Sequence, residues 1–293
     1  MPRACVAWFG TPAQPACSPP RKSSQKSLAL NCGFPVDVTL ERQQRAGFML
    51  KKMGKLVEAL SNPTYWNGLR YGITPSIEHK LALQRLNIRT VLDVGANRGQ
   101  FTLLAQCLYP AATIYAFEPL ARPAEQFRAL FADKTNVQLF QVGIDEALRD
   151  TKMFVADDHH ASSSILKAHK QSKIFGSRET GEETVHVGRL NDFLRLDCIR
   201  PPCLLKIDVQ GYELQVINGC REVLPLVDYL YVECCYVELY ARQALAHEIL
   251  RRLEEFGFAL RGIFNQHCDP EEGPVIADFL FQSLRSMAAV RAA

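Results

Sequence analysis

The chain has 293 residues, of which 47% are hydrophobic, and its 34 lysines and arginines against 31 acidic residues give a formal net charge of +3. This apolar content is enough for the core of one large α/β domain. No apolar stretch approaches the roughly 20 residues that a transmembrane helix requires. No basic run alternates with aromatic residues, as a nucleic-acid groove would require. We therefore expect neither a membrane nor a nucleic-acid partner.

The ten cysteines are scattered, without C-x-x-C pairs and without histidines at the spacing of a zinc site. This pattern predicts reduced, mostly buried thiols. Prolines interrupt the N-terminal segment before the apolar region of a signal peptide can form. We expect a cytoplasmic protein.

Residues 1–41 are predicted to be a disordered or non-native extension, because the first 36 residues contain no acidic residue, include six of the 16 prolines and show no periodicity. The alternatives are a transit peptide and a sequence upstream of a functional start at Met49. In the next segment, 42–75, apolar residues recur at helical spacing between lysines. This spacing predicts an amphipathic helix.

From residue 76 to residue 285, strand-like and helix-like patterns alternate, which predicts a doubly wound α/β domain with a mostly parallel sheet. A helix is expected over 76–87. The predicted strands are 90–94, 113–117, 137–143, 203–209, 229–234, 258–264 and 276–282, and the predicted helices between them are 98–108, 121–132, 211–219 and 241–256. The last two strands are joined by a loop too short for a crossover helix, so the final strand should be antiparallel to its neighbour. Residues 286–293 are expected to be a tail.

An insertion over 151–187 separates the third predicted strand from the fourth. It contains two short β-like runs, "KMFVA" and "TVHVG". Ligands of open α/β sheets bind beyond the carboxyl ends of the strands. An insertion at this place is therefore expected to cover the substrate.

The sequence "VLDVGANRGQF" (91–101) joins a buried strand to a glycine turn and a helix, an arrangement by which α/β proteins hold nucleotides. Gly95 and Gly99 let the backbone come close to a ligand, and Ala96 and Asn97 lie between them. The turn lacks the second glycine of the G-x-G-x-x-G dinucleotide motif. Asp93, two residues before the turn, suits a ligand with a cationic amino group, such as the methionine part of S-adenosylmethionine.

The second predicted strand ends in "AFEP", in which Glu118 follows Gly95 by 23 residues. This is close to the spacing at which an acidic residue binds the hydroxyl groups of a ribose. Asp93 and Glu118 would then bracket a nucleoside that carries an amino acid. Taken separately, Asp93 could instead cap the turn, and Glu118 could be a solvated loop residue.

Two further acidic residues end later strands. In "LLKIDVQGYE", Lys206 and Asp208 should face the same side of a strand, and Glu233 ends the next strand in "YVEC". One interpretation is that Asp208 forms a structural ion pair with Lys206. The other is that Asp208 and Glu233 flank the crevice in which a methyl group is transferred.

Together these motifs resemble those of the FkbM-type class I methyltransferases. The resemblance covers roughly residues 76–283 and rests on "VLDVGANRGQF", "AFEP", the serines of the insertion, "LLKIDVQGYELQVINGC", "YVEC" and "DFLF" (278–281). It implies a Rossmann-like seven-stranded sheet with helices on both faces and S-adenosylmethionine as methyl donor. It also implies O-methylation of a small molecule, such as a sugar or polyketide hydroxyl.

The resemblance further implies which residues bind the cofactor. By the family's pattern these are Asp93, Gly95, Asn97, Gly99 and Glu118. We add their neighbours and the region where the adenine should lie: Ala96, Gln100, Phe117, Pro119, Gly143 and Ile144.

Transfer to an alcohol also requires a group that removes the hydroxyl proton, and a buried carboxylate or a histidine can do so. The candidates are Asp208 and Glu233, with His159 and His160 in the insertion. A divalent metal ion held by Asp208 and Glu233 is an alternative way to activate the hydroxyl.

Two other functions are carried as alternatives. One is an NAD-linked oxidoreductase, which the missing second glycine and the terminal hairpin disfavour. The other is a methyltransferase-like module that binds the cofactor without turnover.

Overall fold

The computed structural model describes residues 61–156 and 162–292, and their side chains as far as residue 288. All of these residues belong to one structural unit, Met49–Ala293. The expected N-terminal extension and the helical pattern of residues 42–60 lie outside the described residues. So do His159 and His160.

The described residues form two sheets. The strands are β1 (Thr90–Val94), β2 (Thr113–Phe117), β3 (Val137–Phe140), β4 (Gly143–Ile144), β5 (Arg149–Ala156), β6 (Glu179–Gly188), β7 (Cys203–Ile207), β8 (Tyr229–Cys235), β9 (Phe258–Asp269) and β10 (Gly273–Ser283). The main sheet has seven strands in the order β3-β2-β1-β7-β8-β10-β9. Its first five strands in this order are parallel, whereas β10 is antiparallel to both β8 and β9. The predicted antiparallel final strand is confirmed.

The helices within the described residues are mostly short. They are α1 (Pro63–Arg70), α2 (Lys80–Leu83), α3 (Gln100–Leu108), α4 (Ala121–Leu130), α5 (Gln171–Phe175), α6 (Leu190–Phe193), α7 (Glu213–Gly219), α8 (Ala246–Glu255) and α9 (Leu284–Ala292). The helix expected over 76–87 is a 3₁₀ turn, Ile77–His79, followed by α2. The helix expected from residue 241 begins later, because Arg242 has a left-handed φ of 65°.

Helices cover both faces of the main sheet. Side chains of a buried strand alternate between the two faces, so neighbouring residues of one strand pack against different helices. All five residues of β1 are buried. Val91 shares a core with Phe101 of α3 on one face. Leu92 shares a core with Val216 of α7 and Leu253 of α8 on the other. The predicted doubly wound α/β fold is confirmed.

The insertion builds most of the second sheet, whose strand order is β4-β6-β5. β5 and β6 are antiparallel, so both β-like runs of the insertion are strands. β4 pairs in parallel with β6 through Gly143 and Val187. The strand expected over 137–143 therefore ends at Phe140, because the chain leaves the main sheet there to join the insertion.

The order of strands in the main sheet determines where a ligand can bind. The chain runs outward from β1 through β2 to β3, and then returns to β7 on the other side of β1. At such a reversal the carboxyl ends of the two central strands leave an open crevice.

Of the helices described, none is long and apolar enough to span a membrane.

Candidate active site

A cavity of about 400 Å³ lies at the carboxyl ends of β1, β2, β7 and β8. Of the described residues, the predicted catalytic residues Asp208 and Glu233 line it. Nine predicted cofactor residues also line it: Gly95, Ala96, Asn97, Gln100, Phe117, Glu118, Pro119, Gly143 and Ile144. Residues that are far apart in the sequence are thus brought to one cavity by the fold.

Gly95 opens the turn at the end of β1 with a φ of 78°. A side chain here would place its Cβ 1.9 Å from the carbonyl oxygen of Asp208, so the turn can pack against the end of β7 only with glycine. The backbone N–H groups of Gly95 and Ala96 both donate to the carbonyl of Phe117 at 3.0 Å. The turn is therefore fixed to the ends of both neighbouring strands.

Gly99, in contrast, is absent from the described lining of the cavity. Its φ is 97°, and a Cβ would lie 2.4 Å from the ring of Phe131, so this glycine serves the packing of α3. The side-chain oxygens of Asn97 and Gln100 are buried and have no hydrogen-bond partner within the described residues. Buried polar atoms are almost always paired in native proteins, so these two oxygens are exceptions beside the cavity.

Glu118 is buried at the end of β2 with 5% of its surface exposed. Its two oxygens accept hydrogen bonds from the backbone N–H groups of Asn97 and Leu120, each at 2.9 Å. Burial raises the pKa of Glu118 to about 7, although these two N–H groups favour the charged form. The carboxyl group is thus held in one place on the cavity wall, beside the glycine turn.

Asp93 is fully buried and is not among the described residues that line the cavity. It accepts a hydrogen bond from Thr102 Oγ1 at 2.7 Å, and its other oxygen lies 3.3 Å from Lys206 Nζ. Lys206 does line the cavity, donates to the carbonyl of Gly95 at 3.0 Å and lies 3.6 Å from Asp208 Oδ2. Burial favours the neutral amine, but Asp93 and Asp208 outweigh it and raise the pKa of Lys206. The positive charge beside Asp93 in this structure is therefore that of Lys206, whereas the sequence suggested the amino group of a ligand.

Asp208 and Glu233 are joined through Gln210. The Nε2 atom of Gln210 lies 2.9 Å from Asp208 Oδ1 and 2.9 Å from Glu233 Oε2. Burial, and next the charge of Asp208, raise the pKa of Glu233 well above its ordinary value. Burial opposes ionisation of Asp208 too, but Lys206 and the hydrogen bond from Gln210 outweigh it and lower its pKa. Glu233 is the more basic of the two acids, which flank one crevice as the sequence analysis expected.

A second polar cluster, which the sequence motifs did not predict, lies on the same wall of the cavity. His79 Nδ1 lies 3.1 Å from Asp278 Oδ2 and 3.1 Å from the hydroxyl of Tyr231. The side-chain amide of Asn265 donates to Asp278 at 2.8 Å. Asp278 is the register partner of Glu233 in the β8–β10 pair, so the "DFLF" motif read against "YVEC" could have revealed it. His79 and Asn265 carried no such signal.

The insertion forms part of the cavity wall with Met153, Ser163 and Ile165. In addition, Ser164 Oγ donates a hydrogen bond of 2.6 Å to the carbonyl of Gln210. The insertion therefore contacts both the cavity and the segment that holds the two acids.

In residues 61–156 and 162–292, no group of three or more His, Cys, Asp and Glu side chains is arranged to hold a metal ion. The place between Asp208 and Glu233 is taken by the amide nitrogen of Gln210, which is a hydrogen-bond donor. The alternative of a metal shared by these two acids gains no support from this geometry.

Residues 93–260 match the model of a family described as the methyltransferase FkbM domain. The chain is 32% identical over 161 residues to "Methyltransferase 1" of Beauveria bassiana, which covers 50% of this chain and 64% of that protein. It is 29% identical over 180 residues to "2-O-methyltransferase NoeI" of Sinorhizobium fredii, with 57% of this chain and 71% of that protein covered. It is 27% identical over 192 residues to "31-O-demethyl-FK506 methyltransferase FkbM" of Streptomyces tacrolimicus, with 58% and 72% covered. The chain thus spans slightly less than two thirds of the first of these relatives.

Proposed function

Because the chain belongs to the FkbM methyltransferase family, whose model matches more than half of it, we propose that it is an S-adenosylmethionine-dependent O-methyltransferase. Its acceptor is a hydroxyl group of a small uncharged molecule, such as a glycoside or a polyketide. The observation that carries this proposal is the single cavity in which Glu118 and the Gly95 turn lie beside Asp208 and Glu233.

The residues of the cavity fit S-adenosylmethionine. Glu118 is fixed by two N–H groups where it can accept hydrogen bonds from the ribose hydroxyls. Asn97 and Gln100 also line the cavity, and their side-chain amides can form hydrogen bonds with the amino group or the hydroxyls of the cofactor. Gly143 and Ile144 provide an apolar wall for the adenine. The cofactor supplies a methyl group on a positively charged sulfur.

The chain's own residues align the acceptor and remove its proton. With the cofactor held by Glu118 and the Gly95 turn, Asp208 and Glu233 would direct the acceptor hydroxyl toward the methyl group that the cofactor would supply. The hydroxyl proton passes to the ionised form of Glu233, which is the stronger base of the two carboxylates because burial raises its pKa. Asp208 stays ionised and orients the hydroxyl.

The charge of the cavity favours an uncharged acceptor. Besides Glu118, the described lining of the cavity carries four carboxyl groups: Glu78, Asp208, Glu233 and Asp278. The charge of Lys206 is shared between two of the chain's own carboxylates. A phosphorylated or carboxylated acceptor would be repelled here, whereas hydroxyl groups can donate hydrogen bonds. One relative is named a 2-O-methyltransferase, which supports transfer to oxygen.

The proposal is tested with S-adenosylmethionine that carries a deuterated methyl group. It is added to purified protein and a panel of neutral glycosides and polyketides, their phosphorylated or carboxylated counterparts, and amines. Mass spectrometry should find an acceptor that gains one labelled methyl on oxygen, with an equal amount of S-adenosylhomocysteine. The double variant Asp208→Asn/Glu233→Gln is the matched control and should form no product. Labelled methyl found on nitrogen, or only on anionic acceptors, would contradict the proposed acceptor class.

A further inference from the structure

Each polar atom of the Gln210 side chain has a hydrogen-bond partner. Its Nε2 donates to Asp208 and Glu233, each at 2.9 Å, and its Oε1 accepts from the hydroxyl of Tyr240 at 2.9 Å. Carboxyl oxygens lie on one side of the amide and a hydroxyl donor on the other. The amide is therefore held in one orientation, with both N–H groups directed at the acids.

The backbone of Gln210 is fixed as firmly as its side chain. Its φ is 56°, in the left-handed region that residues other than glycine rarely adopt. Its carbonyl accepts the 2.6 Å hydrogen bond from Ser164 Oγ. The next residue is Gly211, where a Cβ would lie 2.9 Å from the ring of Tyr240. The hydroxyl of Tyr240 also lies 3.1 Å from the carbonyl of Ser162, so the insertion and Tyr240 together hold this strained turn.

We propose, on the basis of the function proposed above, that Gln210 is the positioning residue of the methyl-acceptor site. Its amide holds Asp208 and Glu233 as a fixed pair, and Ser164 and Tyr240 set the orientation of that amide. The insertion thereby acts on the two acids through Gln210, in addition to forming part of the cavity wall.

Gln210 should have a measurable effect on the pKa values of Asp208 and Glu233. Two N–H groups directed at carboxyl oxygens favour the charged forms of both acids. The other titratable groups that face the pair are Lys206 and His79, which favour ionised Asp208, and Asp278 and Glu213, which oppose ionisation of Glu233. Without the amide, the two carboxyl groups would face each other with less compensation, and the first deprotonation of the pair would become harder.

The test is a pH titration by NMR of protein labelled with ¹³C at the Asp and Glu carboxyl carbons, with the pair assigned from Asp208→Asn and Glu233→Gln. Gln210→Met keeps the length of the side chain and removes both N–H donors. The lower of the two titration steps of the pair should rise by about 1–2 pH units. The acidic limb of the pH–rate profile follows the higher step, because Glu233 is the proposed proton acceptor. It should also move to higher pH, with kcat falling more than KM changes.

Two further variants serve as comparisons, one with a smaller expected shift and one with none. Tyr240→Phe removes the donor that fixes the amide oxygen and should shift the same titration step in the same direction by less. Gln141→Met makes the same chemical change at an exposed residue and should leave the pair's titration unchanged.

An unshifted titration in a folded Gln210→Met protein would overturn the positioning role. If that variant does not fold, an unshifted titration in Tyr240→Phe would overturn it. Calorimetry with S-adenosylhomocysteine on the wild-type protein reports on the proposed function separately. An absence of binding there contradicts the cofactor assignment and leaves the carboxyl titration, which needs no ligand, as an independent result.

Discussion

At the scale of single residues, the acidic groups around the cavity differ in what holds them. Glu118 is held by backbone N–H groups, and Asp93 by Lys206 and Thr102. Asp208 and Glu233 are held by the amide of Gln210. Their expected roles differ accordingly. Lys206 is a cationic partner of both Asp93 and Asp208 and lowers the pKa of Asp208, whereas burial raises the pKa of Glu233, which can therefore exchange a proton.

Glu118→Ala should weaken binding of S-adenosylhomocysteine, because the variant removes the carboxyl group expected to accept hydrogen bonds from the ribose. The expected loss is about 1.5–3 kcal/mol, the usual range for a hydrogen bond to a charged group. Isothermal titration calorimetry measures it. Glu125→Ala, at an exposed position on α4, is the control and should bind as the wild type does. Equal affinities of the two variants would contradict a contact between Glu118 and the cofactor.

Glu233→Gln should slow methyl transfer by about 10²–10⁴, because an amide cannot accept the hydroxyl proton. Asp208→Asn should also slow it, because the charged group that orients the hydroxyl is lost. Both variants should bind the cofactor as the wild type does, to within about tenfold. Asp208→Asn should also keep the melting temperature, since Lys206 retains its closer partner, Asp93, at 3.3 Å. Turnover and thermal unfolding are measured side by side.

Asp93→Asn serves as the comparison in the measurements of turnover and thermal unfolding, because its main effect should be on stability. It removes the fully buried partner of Lys206 and should lower the free energy of unfolding by about 3–5 kcal/mol, the usual cost of an uncompensated buried charge. If Asp208→Asn were the unstable variant and kept full activity per folded molecule, the ion-pair interpretation of Asp208 would hold instead of the catalytic one.

Among the secondary-structure elements, the bounds of strands with a clear local pattern could be predicted from the sequence. A change of pairing from one sheet to the other could not. β1 and β2 have the predicted bounds, because each is a five-residue run between turns in which β-branched or aromatic residues predominate. The third strand was predicted too long, because Gly143 continues the apolar pattern but pairs with the other sheet. The cofactor residues on the turn after β1 are neighbours in the sequence, and the motif revealed them together. His79 and Asn265 come from a 3₁₀ turn and from β9, which only the fold brings to the cavity.

Gly95→Ala should destabilise the turn between β1 and α3. The new Cβ would lie 1.9 Å from the carbonyl of Asp208, in addition to the cost of a positive φ. Gly72→Ala is the matched control, because Gly72 has a φ of 67° and nothing lies within 4 Å of its added Cβ. In urea unfolding, Gly95→Ala should lose about 1–3 kcal/mol more than Gly72→Ala, the usual range for overpacking. Equal losses would show that the close approach to Asp208 does not constrain the turn.

At the scale of the whole molecule, the sheet order places the site, and the site affects the stability of the fold. β1 and β7 are adjacent in the sheet although β2 to β6 lie between them in the sequence. Their carboxyl ends bring the Gly95 turn against Asp208. Such a crevice needs polar groups to bind a ligand, and burial of these groups costs stability.

Glu118 should make the free energy of unfolding depend on pH. Its pKa is about 7 in the folded protein, above its ordinary value of 4.5, so the folded state binds more protons than the unfolded state between these values. Stability should therefore be highest below about pH 4.5 with respect to this group and fall as pH rises to about 7, by on the order of 3 kcal/mol. Glu213, whose pKa is also raised to about 7 by burial, adds a slope of the same sign. Urea unfolding across this range should show a flatter profile for Glu118→Gln, and parallel profiles would contradict the raised pKa.

Binding of S-adenosylmethionine in the cavity between β1 and β7 can be measured by calorimetric titration of the purified chain with S-adenosylhomocysteine and with NAD. We expect saturable binding of S-adenosylhomocysteine, weakened in Glu118→Ala, and no binding of NAD. Saturable binding of NAD, or no heat with S-adenosylhomocysteine from a folded protein, would contradict this expectation.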